Sequence, residues 1–374
     1  MKTSILPAIV LFVSCLVLPQ VTIFANDPDK IDSLLSSVYL NDQPGASIAV
    51  MQQGKIVFKK SYGVVNIDAK EKITSSTNFN IASLTKQFTA LAVLQLAEKN
   101  KLSLNDNLTM FFPEMNKKVA NVITVKQLLT HSSGIIDHYG YVNTNQMHHA
   151  HNKDVFDAIK NIDSTYFVPG TQFRYSNTAY CLLALIIEKL SGLSYNTYLE
   201  KNIFQPAGMN HTSVWNEQSG IISPATGYEW NSTQNKFQKS GADEHIFFST
   251  EGDGGIYTSV NDYLKWFSAL QSTKVFSRSI TDKARSLQYV IDNGKTLGYG
   301  YGWFIDESNP LKYVYHSGSN GGFRTFSFTI PDKNYLVLIF SNRADIDPEE
   351  LVLKINQILG STDKPFTKIE VLTS

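Results

Sequence analysis

A serine three residues ahead of a lysine opens the segment Ile81-Ala82-Ser83-Leu84-Thr85-Lys86, just before the apolar run Phe88 to Leu96. On a helix, positions i and i+3 share a face, so this spacing brings the Lys86 ammonium to the Ser83 hydroxyl. A serine hydroxyl is a poor nucleophile at neutral pH until a neighbour takes its proton. A lysine enclosed among apolar groups can help, because desolvation lowers its pKa. The spacing alone is weak: Ser361-Thr362-Asp363-Lys364 repeats it near the C-terminus, and Ser83 reads equally well as a helix cap.

Two further groupings add chemistry. Tyr175-Ser176-Asn177 follows a Pro169-Gly170 loop and leads into the apolar stretch from Ala179. A lysine cation beside Tyr175 would ease loss of the phenolic proton, making Tyr175 a proton carrier between serine and leaving group. Asn177 can accept from Lys86 and donate to a substrate carbonyl. The third grouping, His316-Ser317-Gly318-Ser319, ends a strand pattern. Gly318 would let a substrate backbone approach the strand edge, and the Ser319 amide would join that of Ser83 as an oxyanion hole. Tyr141-Val142-Asn143 and His138-Tyr139-Gly140 match the same short patterns but lie in an apparent loop. The run His148-His149-Ala150-His151 lacks a carboxylate partner at ligand spacing, so no metal centre is expected. No G-x-S-x-G pentapeptide is present.

The elements that must position these groups follow from periodicity. Ala46 to Gln52 and Lys55 to Tyr62 read as strands joined at Gln53-Gly54. Tyr299 to Ile305, Tyr313 to His316, Thr325 to Ile330 and Tyr335 to Ser341 read as strands near the other end, with Asp29 to Tyr39 and Pro348 to Leu359 as terminal helices. Between them, Leu84 to Glu98, Val125 to Leu129, Asp154 to Asn161, Ala179 to Leu190, Tyr195 to Asn202 and Val260 to Leu270 read as helices. The expected class is α/β (α+β): an antiparallel sheet from both chain ends, flanked by the terminal helices, with a mainly helical region inserted. The sheet part spans about 29–80 and 250–360 and the helical part about 81–249, forming one catalytic unit over 26–374 with its site in the cleft between them.

Composition bounds the rest. The chain has 374 residues, 43% apolar, with 33 basic and 33 acidic side chains, a balance that excludes a polyanion-binding protein. Lys2, the apolar stretch Ile5 to Leu18 and Ile23-Phe24-Ala25 read as a signal peptide over 1–25, giving an exported, periplasmic or secreted product. Lipidation at Cys15 is the second reading. Cys181, in the run Ala179 to Ile187, is expected to be a buried small hydrophobe. No segment after Ala25 is long and apolar enough for a stable membrane span.

Taken in order, Ser83-x-x-Lys86, Tyr175-x-Asn177 and His316-x-Gly318 resemble the three active-site motifs of the serine β-lactamase and penicillin-binding-protein superfamily. The branch resembled holds class C β-lactamases, D-Ala-D-Ala carboxypeptidases, esterases and D-aminopeptidases. Leu128-Leu129-Thr130-His131-Ser132-Ser133-Gly134, Gly254-Gly255-Ile256-Tyr257-Thr258-Ser259 and Tyr299-Gly300-Tyr301-Gly302-Trp303 are similar to segments of that branch. The resemblance implies a Ser83 acyl-enzyme, with Lys86 and Tyr175 managing the proton, Asn177, His316, Gly318 and Ser319 meeting substrate, and no metal or organic cofactor. Arg324 has a donor fork that suits a substrate carboxylate and equally a surface salt bridge. The implied partner is a small molecule or peptide with a carbonyl acyl donor. The His-x-Gly form is more similar to carboxypeptidases than to the Lys-Thr-Gly of many lactamases. A D-amino-acid peptidase is therefore expected first and a β-lactamase or esterase next. A non-catalytic penicillin-binding sensor is the rival from another class.

Overall fold

Tyr335–Ser341 is apolar at nearly every position and wholly buried, the pattern of a strand covered on both faces. The computed structural model, which describes residues 27–142, 149–215, 221–241, 246–294, 296–362 and 365–367, places it inside an eight-stranded antiparallel sheet. The strands are β1 (Ala46–Gln52), β2 (Lys55–Tyr62), β3 (Tyr289–Val290), β4 (Leu297–Tyr299), β5 (Phe304–Asp306), β6 (Tyr313–Asn320), β7 (Phe323–Ile330) and β8 (Tyr335–Ser341). Their order is β3-β4-β5-β6-β7-β8-β1-β2, so β1 pairs with β8, from Ala46 opposite Ser341 to Met51 opposite Leu336. Gln53 and Gly54 both have positive φ, +51° and +76°, as a tight hairpin between β1 and β2 requires.

Strand alternation sends Ile48, Val50, Phe328, Val337 and Ile339 to one face, where helices α1 (Pro28–Val38) and α5 (Pro348–Leu359) cover them with Ile31, Leu35, Leu351, Val352 and Ile355. Both helices start at an aspartate cap followed by proline, Asp27-Pro28 and Asp347-Pro348. Ala49, Met51, Leu336, Leu338 and Phe340 face the other way, into the helical part.

That part is organised around α2 (Thr85–Glu98), in which every residue from Thr85 to Leu96 is buried. A helix with no solvent face needs internal partners for its polar side chains. Gln87 Oε1 accepts from the Tyr263 hydroxyl (2.8 Å) and from Trp266 Nε1 (3.2 Å), tying α2 to α4 (Val260–Gln271). Thr89 Oγ1 donates to the Gly252 carbonyl (2.6 Å), tying α2 to the short helix Glu251–Gly254. Helix α3 (Asn177–Ser191) packs alongside, capped by Ser176, whose Oγ accepts from the Ala179 amide, and closed by left-handed Gly192.

Two readings from periodicity change. The run Tyr299 to Ile305 is not one strand but the hairpin of β4 and β5, which reverses where Gly302 adopts φ +88° and the Gly300 amide donates to the Trp303 carbonyl (2.8 Å). Stretches read as polar connections contain short ladders: Phe79–Asn80 and Ser213–Val214 flank Ile256–Thr258, and Tyr228–Asn231 pairs with Lys236–Lys239. Among the described residues no helix is long and apolar enough to cross a membrane. The leader and Cys15 lie outside the described residues.

Candidate active site

Ser83 sits in a single 3₁₀ turn, Ala82–Leu84, that feeds directly into α2. The chain enters this turn under constraint. Ala82 has φ +49°, a left-handed conformation that disfavours a Cβ. Three bonds hold it there: the Ile81 amide to the Ile256 carbonyl (2.9 Å), the Ala82 amide to Asn80 Oδ1 (2.8 Å), and Thr325 Oγ1 to the Ile81 carbonyl (2.9 Å). The turn presses on β6. A Cβ at Gly318 would stand 2.2 Å from Thr325 Oγ1, 2.5 Å from the Ile81 carbonyl oxygen and 3.1 Å from Ala82 Cβ. Gly318 therefore has no room for a Cβ, and its smallness lets the Ser83 turn dock against β6.

Lys86 lies one helical turn beyond Ser83 and is fully buried. Its Nζ donates to Ser83 Oγ (3.0 Å), Asn177 Oδ1 (2.8 Å) and the Asp253 carbonyl (2.9 Å). It stands over the rings of Tyr175 (4.8 Å) and Tyr180 (5.5 Å). Burial lowers its pKa from 10.5 to about 8, against the opposing pull of Asp253 and Cys181. A lysine so placed exchanges protons near neutral pH while touching the serine it would activate.

Tyr175 behaves otherwise than expected. Burial raises its pKa well above 10, and the nearby Ser83 hydroxyl only partly opposes this, so the phenol stays protonated. Its hydroxyl makes no hydrogen bond in this geometry among the described residues, although it lies near enough to Ser83 to feel that group. The ring is held from behind by His131, stacked on it at 4.2 Å. The His131 Nδ1 accepts the Ser176 amide (3.0 Å), and its carbonyl accepts the Arg174 amide (2.9 Å). His316 is likewise buried: Nε2 meets the Tyr299 hydroxyl (3.0 Å) and Nδ1 the Ser317 carbonyl (2.6 Å). Burial and then the Lys86 charge lower its pKa to about 3, so the imidazole is neutral. With Nδ1 facing a carbonyl, Nδ1 carries the proton and Nε2 accepts.

The cavity in front of Ser83 encloses about 450 Å³. Ser83, Asn177 and Ser319 are on its wall, together with Tyr139, Phe247, Phe248 and Asp253. Beside it β5 pairs only with Tyr313 to Tyr315, so that edge of β6 has no strand partner from His316 to Asn320 among the described residues. An unpaired edge next to Ser83 offers main-chain donors to an oxyanion or an extended substrate. A larger groove, about 690 Å³ between the β1–β2 hairpin and α4, has Ser268 and Ser272 on its wall, but their hydroxyls donate to the Leu264 (2.9 Å) and Ala269 (3.2 Å) carbonyls of their own helix.

The structure thus brings together Ser83, Lys86, Tyr175, Asn177 and Ser319. It sets His316 beside Tyr175, with ring centroids 6.0 Å apart, and Gly318 under the Ser83 turn; like Lys86 and Tyr175, neither is on the cavity wall. Arg324 Nη1 donates to the Gly321 and Phe323 carbonyls, across the β6–β7 hairpin, and also lies off the wall. Alternation explains this placement: His316 and Gly318 share the face of β6 turned to the interior. Sequence reasoning passed over three residues. Tyr139 accepts from Asn177 Nδ2 (2.5 Å), Asp253 lines the cavity, and His131 orients Tyr175. The motif containing Tyr139 had been set aside as a loop match, and Asp253 belongs to none of the three groupings. His151 does find a carboxylate, Glu251 (2.5 Å), one hundred residues on, but no metal-binding cluster occurs among the described residues, and His148 lies outside them.

The family model described as Beta-lactamase matches residues 39–360. Penicillin-binding protein 4* of Bacillus subtilis (strain 168) is 30% identical over 345 residues, covering 88% of this chain and 75% of that protein. Protein flp of Staphylococcus aureus (strain MRSA252) is 32% identical over 303 residues, 80% of this chain and 59% of its own length, so this chain spans less than two thirds of it. Among solved structures, the octameric penicillin-binding protein homologue from Pyrococcus abyssi is similar with a TM-score of 0.79 and 28% identity, over 91% of this chain and 79% of that one.

Proposed function

The chain belongs to the beta-lactamase family, and on that premise we propose that it is an exported serine hydrolase that cleaves D-amino-acid peptides or amides through an acyl-enzyme on Ser83. The observation that carries the reading is one buried ammonium shared between the Ser83 hydroxyl and Asn177, with its pKa lowered to about 8. Lys86 in its neutral form takes the Ser83 proton as Oγ bonds to the substrate carbonyl carbon. The amides of Ser83 and Ser319 hold the oxyanion. The protonated Tyr175 hydroxyl relays the proton to the leaving amine as the C–N bond breaks, and water then releases the acid by the reverse relay. Export rests on the leader over residues 1–25.

The D-amino-acid preference, with D-Ala-D-Ala carboxypeptidase-like action as its most specific form, is supported by the His316-x-Gly318 wording and by likeness to a penicillin-binding protein. Penicillin hydrolysis is the second reading, favoured by the match to the family model described as Beta-lactamase. Incubation with a penicillin, followed by intact mass and by lactam loss, separates them. A lasting adduct on Ser83 supports the peptidase, and a cleared adduct with lactam loss supports a β-lactamase. Ser83→Ala is expected to abolish both adduct and turnover of any acyl donor; undiminished turnover in that variant overturns the assignment.

A further inference from the structure

Beyond the C-terminal end of α2, away from Ser83, lies a cavity of about 510 Å³, the size of a small-molecule site. Lys126, on the helix Val125–Leu129, and Lys283, on the helix Arg278–Ala284, both line it. Neither ammonium has a hydrogen bond or ion pair among the described residues. No carboxylate lines this wall among those residues: Asp106 Oδ2 accepts the Ser103 amide (2.7 Å), and Asp282 faces Arg285 (4.0 Å). Two lysines brought from separate elements to one acid-free wall repel each other until an anion lies between them. The floor is Tyr301, 1% exposed. Burial alone acts on its phenol and raises its pKa to about 12, so the O–H stays protonated and no neighbour's hydrogen bond claims it. A buried hydroxyl without an internal acceptor takes one from the cavity it lines. Two more groups complete the wall. Ser103 Oγ accepts the Asn105 amide (3.2 Å), which leaves its O–H to donate. Gln288 Nε2 donates to the Lys283 carbonyl (3.1 Å) and to Ser286 Oγ (2.9 Å), which leaves Oε1 to accept.

We propose that this cavity is an effector site for a small polyhydroxy anion, a phosphorylated sugar in its simplest form, and that its occupancy is felt at the Ser83 turn. Lys126 and Lys283 receive the anionic group, Tyr301 and Ser103 donate to its oxygens, and Gln288 accepts from a ligand hydroxyl. The route inward is the β4–β5 hairpin. The Tyr301 amide donates to the Ala284 carbonyl (2.9 Å), next to Lys283. The following residue, Gly302, lies so close to α2 that a Cβ there would stand 2.8 Å from the Lys86 carbonyl oxygen. Tyr301 also acts electrostatically on Tyr180, whose ring faces the Lys86 ammonium at 5.5 Å. A ligand that moves Tyr301 therefore moves the hairpin that seats the catalytic lysine, and the coupling is reciprocal.

The test titrates the mature protein at neutral pH with glucose 6-phosphate, inorganic phosphate and glucose, read by isothermal calorimetry. Glucose 6-phosphate is expected to bind saturably at one site per chain, inorganic phosphate about tenfold more weakly and glucose not at all. Joint Lys126→Ala and Lys283→Ala substitution is expected to weaken glucose 6-phosphate by about tenfold or more, and Tyr301→Phe by about threefold, with near-UV circular dichroism reporting the fold. No saturable heat up to about 10 mM glucose 6-phosphate, or unchanged binding in the folded double variant, overturns the site. Equal binding of inorganic phosphate and glucose 6-phosphate overturns the ligand class. Coupling is read in two ways: the emission of Trp303, kept as the single tryptophan, and kcat/KM for a p-nitrophenyl ester. Both are expected to change on saturation with glucose 6-phosphate, the second by about twofold, and neither in the double variant. If both stay unchanged in a protein that binds the probe, the effector role is overturned. A protein that binds the probe and shifts Trp303 emission, yet is acylated by no ester, refutes the Ser83 hydrolase reading alone.

Discussion

An ammonium held by three acceptors inside an apolar shell feels opposed influences: hydrogen bonds favour its proton, and loss of hydration disfavours it. For Lys86 burial wins, lowering the pKa from 10.5 to about 8. About one tenth of the side chain is then neutral at pH 7, against a few parts in ten thousand for an exposed lysine. With neutral Lys86 as the proposed base, kcat/KM for an uncharged ester is expected to rise with pH to a plateau with its midpoint near 8. His131 and His316 both stay neutral across that range, their pKa values lowered by burial, so the profile should have a single rising limb between pH 5 and 9. A flat profile measured under pseudo-first-order conditions would remove Lys86 from the base role. Tyr139 gives a second expectation. Its hydroxyl occupies the Asn177 amide that a substrate carbonyl would use, so Tyr139→Phe should free that donor. Substrate KM is expected to fall by about fivefold, the worth of one displaced hydrogen bond, with kcat little changed in steady-state assays. The Ser83–Lys86 and Lys86–Asn177 contacts were legible from spacing and from donor and acceptor types. The Tyr139 and Asp253 contacts were not, because long-range packing of a loop and a four-residue helix creates them and no local period encodes it.

At the scale of elements, the site depends on how α2 is seated. Its first turn is wedged between two glycines on neighbouring strand ends. A Cβ at Gly318 would collide with Thr325 and with the Ile81 carbonyl, and a Cβ at Gly302 would stand 2.8 Å from the Lys86 carbonyl and from Gln87 Cα. Gly302 also has φ +88°, which a side chain disfavours. Gly318→Ala is expected to push the Ser83 turn out of register with the Ser319 amide. A displacement of about 1 Å costs on the order of 10² in kcat, and the overpacking costs about 1–3 kcal/mol of stability. Stopped-flow acylation and thermal denaturation together check this, and a variant with wild-type kcat would show that the turn tolerates movement. Strands such as Tyr335–Ser341 and helices such as Pro348–Leu359 were readable because burial on both faces, or on one stripe, leaves a clear pattern. The β4–β5 hairpin was not, because its aromatic residues, Tyr299, Tyr301, Trp303 and Phe304, are all buried and hide the reversal at Gly302. Ala82 left no signal either: an ordinary residue forced to positive φ is visible only in the structure.

For the whole molecule, the question is whether sheet and helical part fold as one. The first two strands and the last six come from opposite ends of the chain, yet β1 and β8 pair through six consecutive registers. Such a sheet closes only after the intervening helices have brought those ends together, the costly non-local pairing that slows folding. The helical part is equally dependent: α2 has no solvent face, and the sheet supplies Thr325 to its leading turn and Phe340 to its core. Neither part can expose its partner's surface cheaply, so we propose that the two unfold together. The four tryptophans allow a direct check. Trp266 lies on α4 and Trp303 at the sheet end, and each can be kept as the single fluorophore by changing the other three to phenylalanine. The two reporters are expected to give coincident urea transitions, matching far-UV circular dichroism and loss of activity. Midpoints separated by more than about 0.5 M urea would mean that the parts hold structure independently. The cleft would then be a hinge between two folding units, and the Ser83–Ser319 oxyanion geometry would depend on how far it stands open. Coincidence instead means that the strain at Ala82 is borne by the stability of the entire molecule, which is how a left-handed alanine next to the nucleophile can persist.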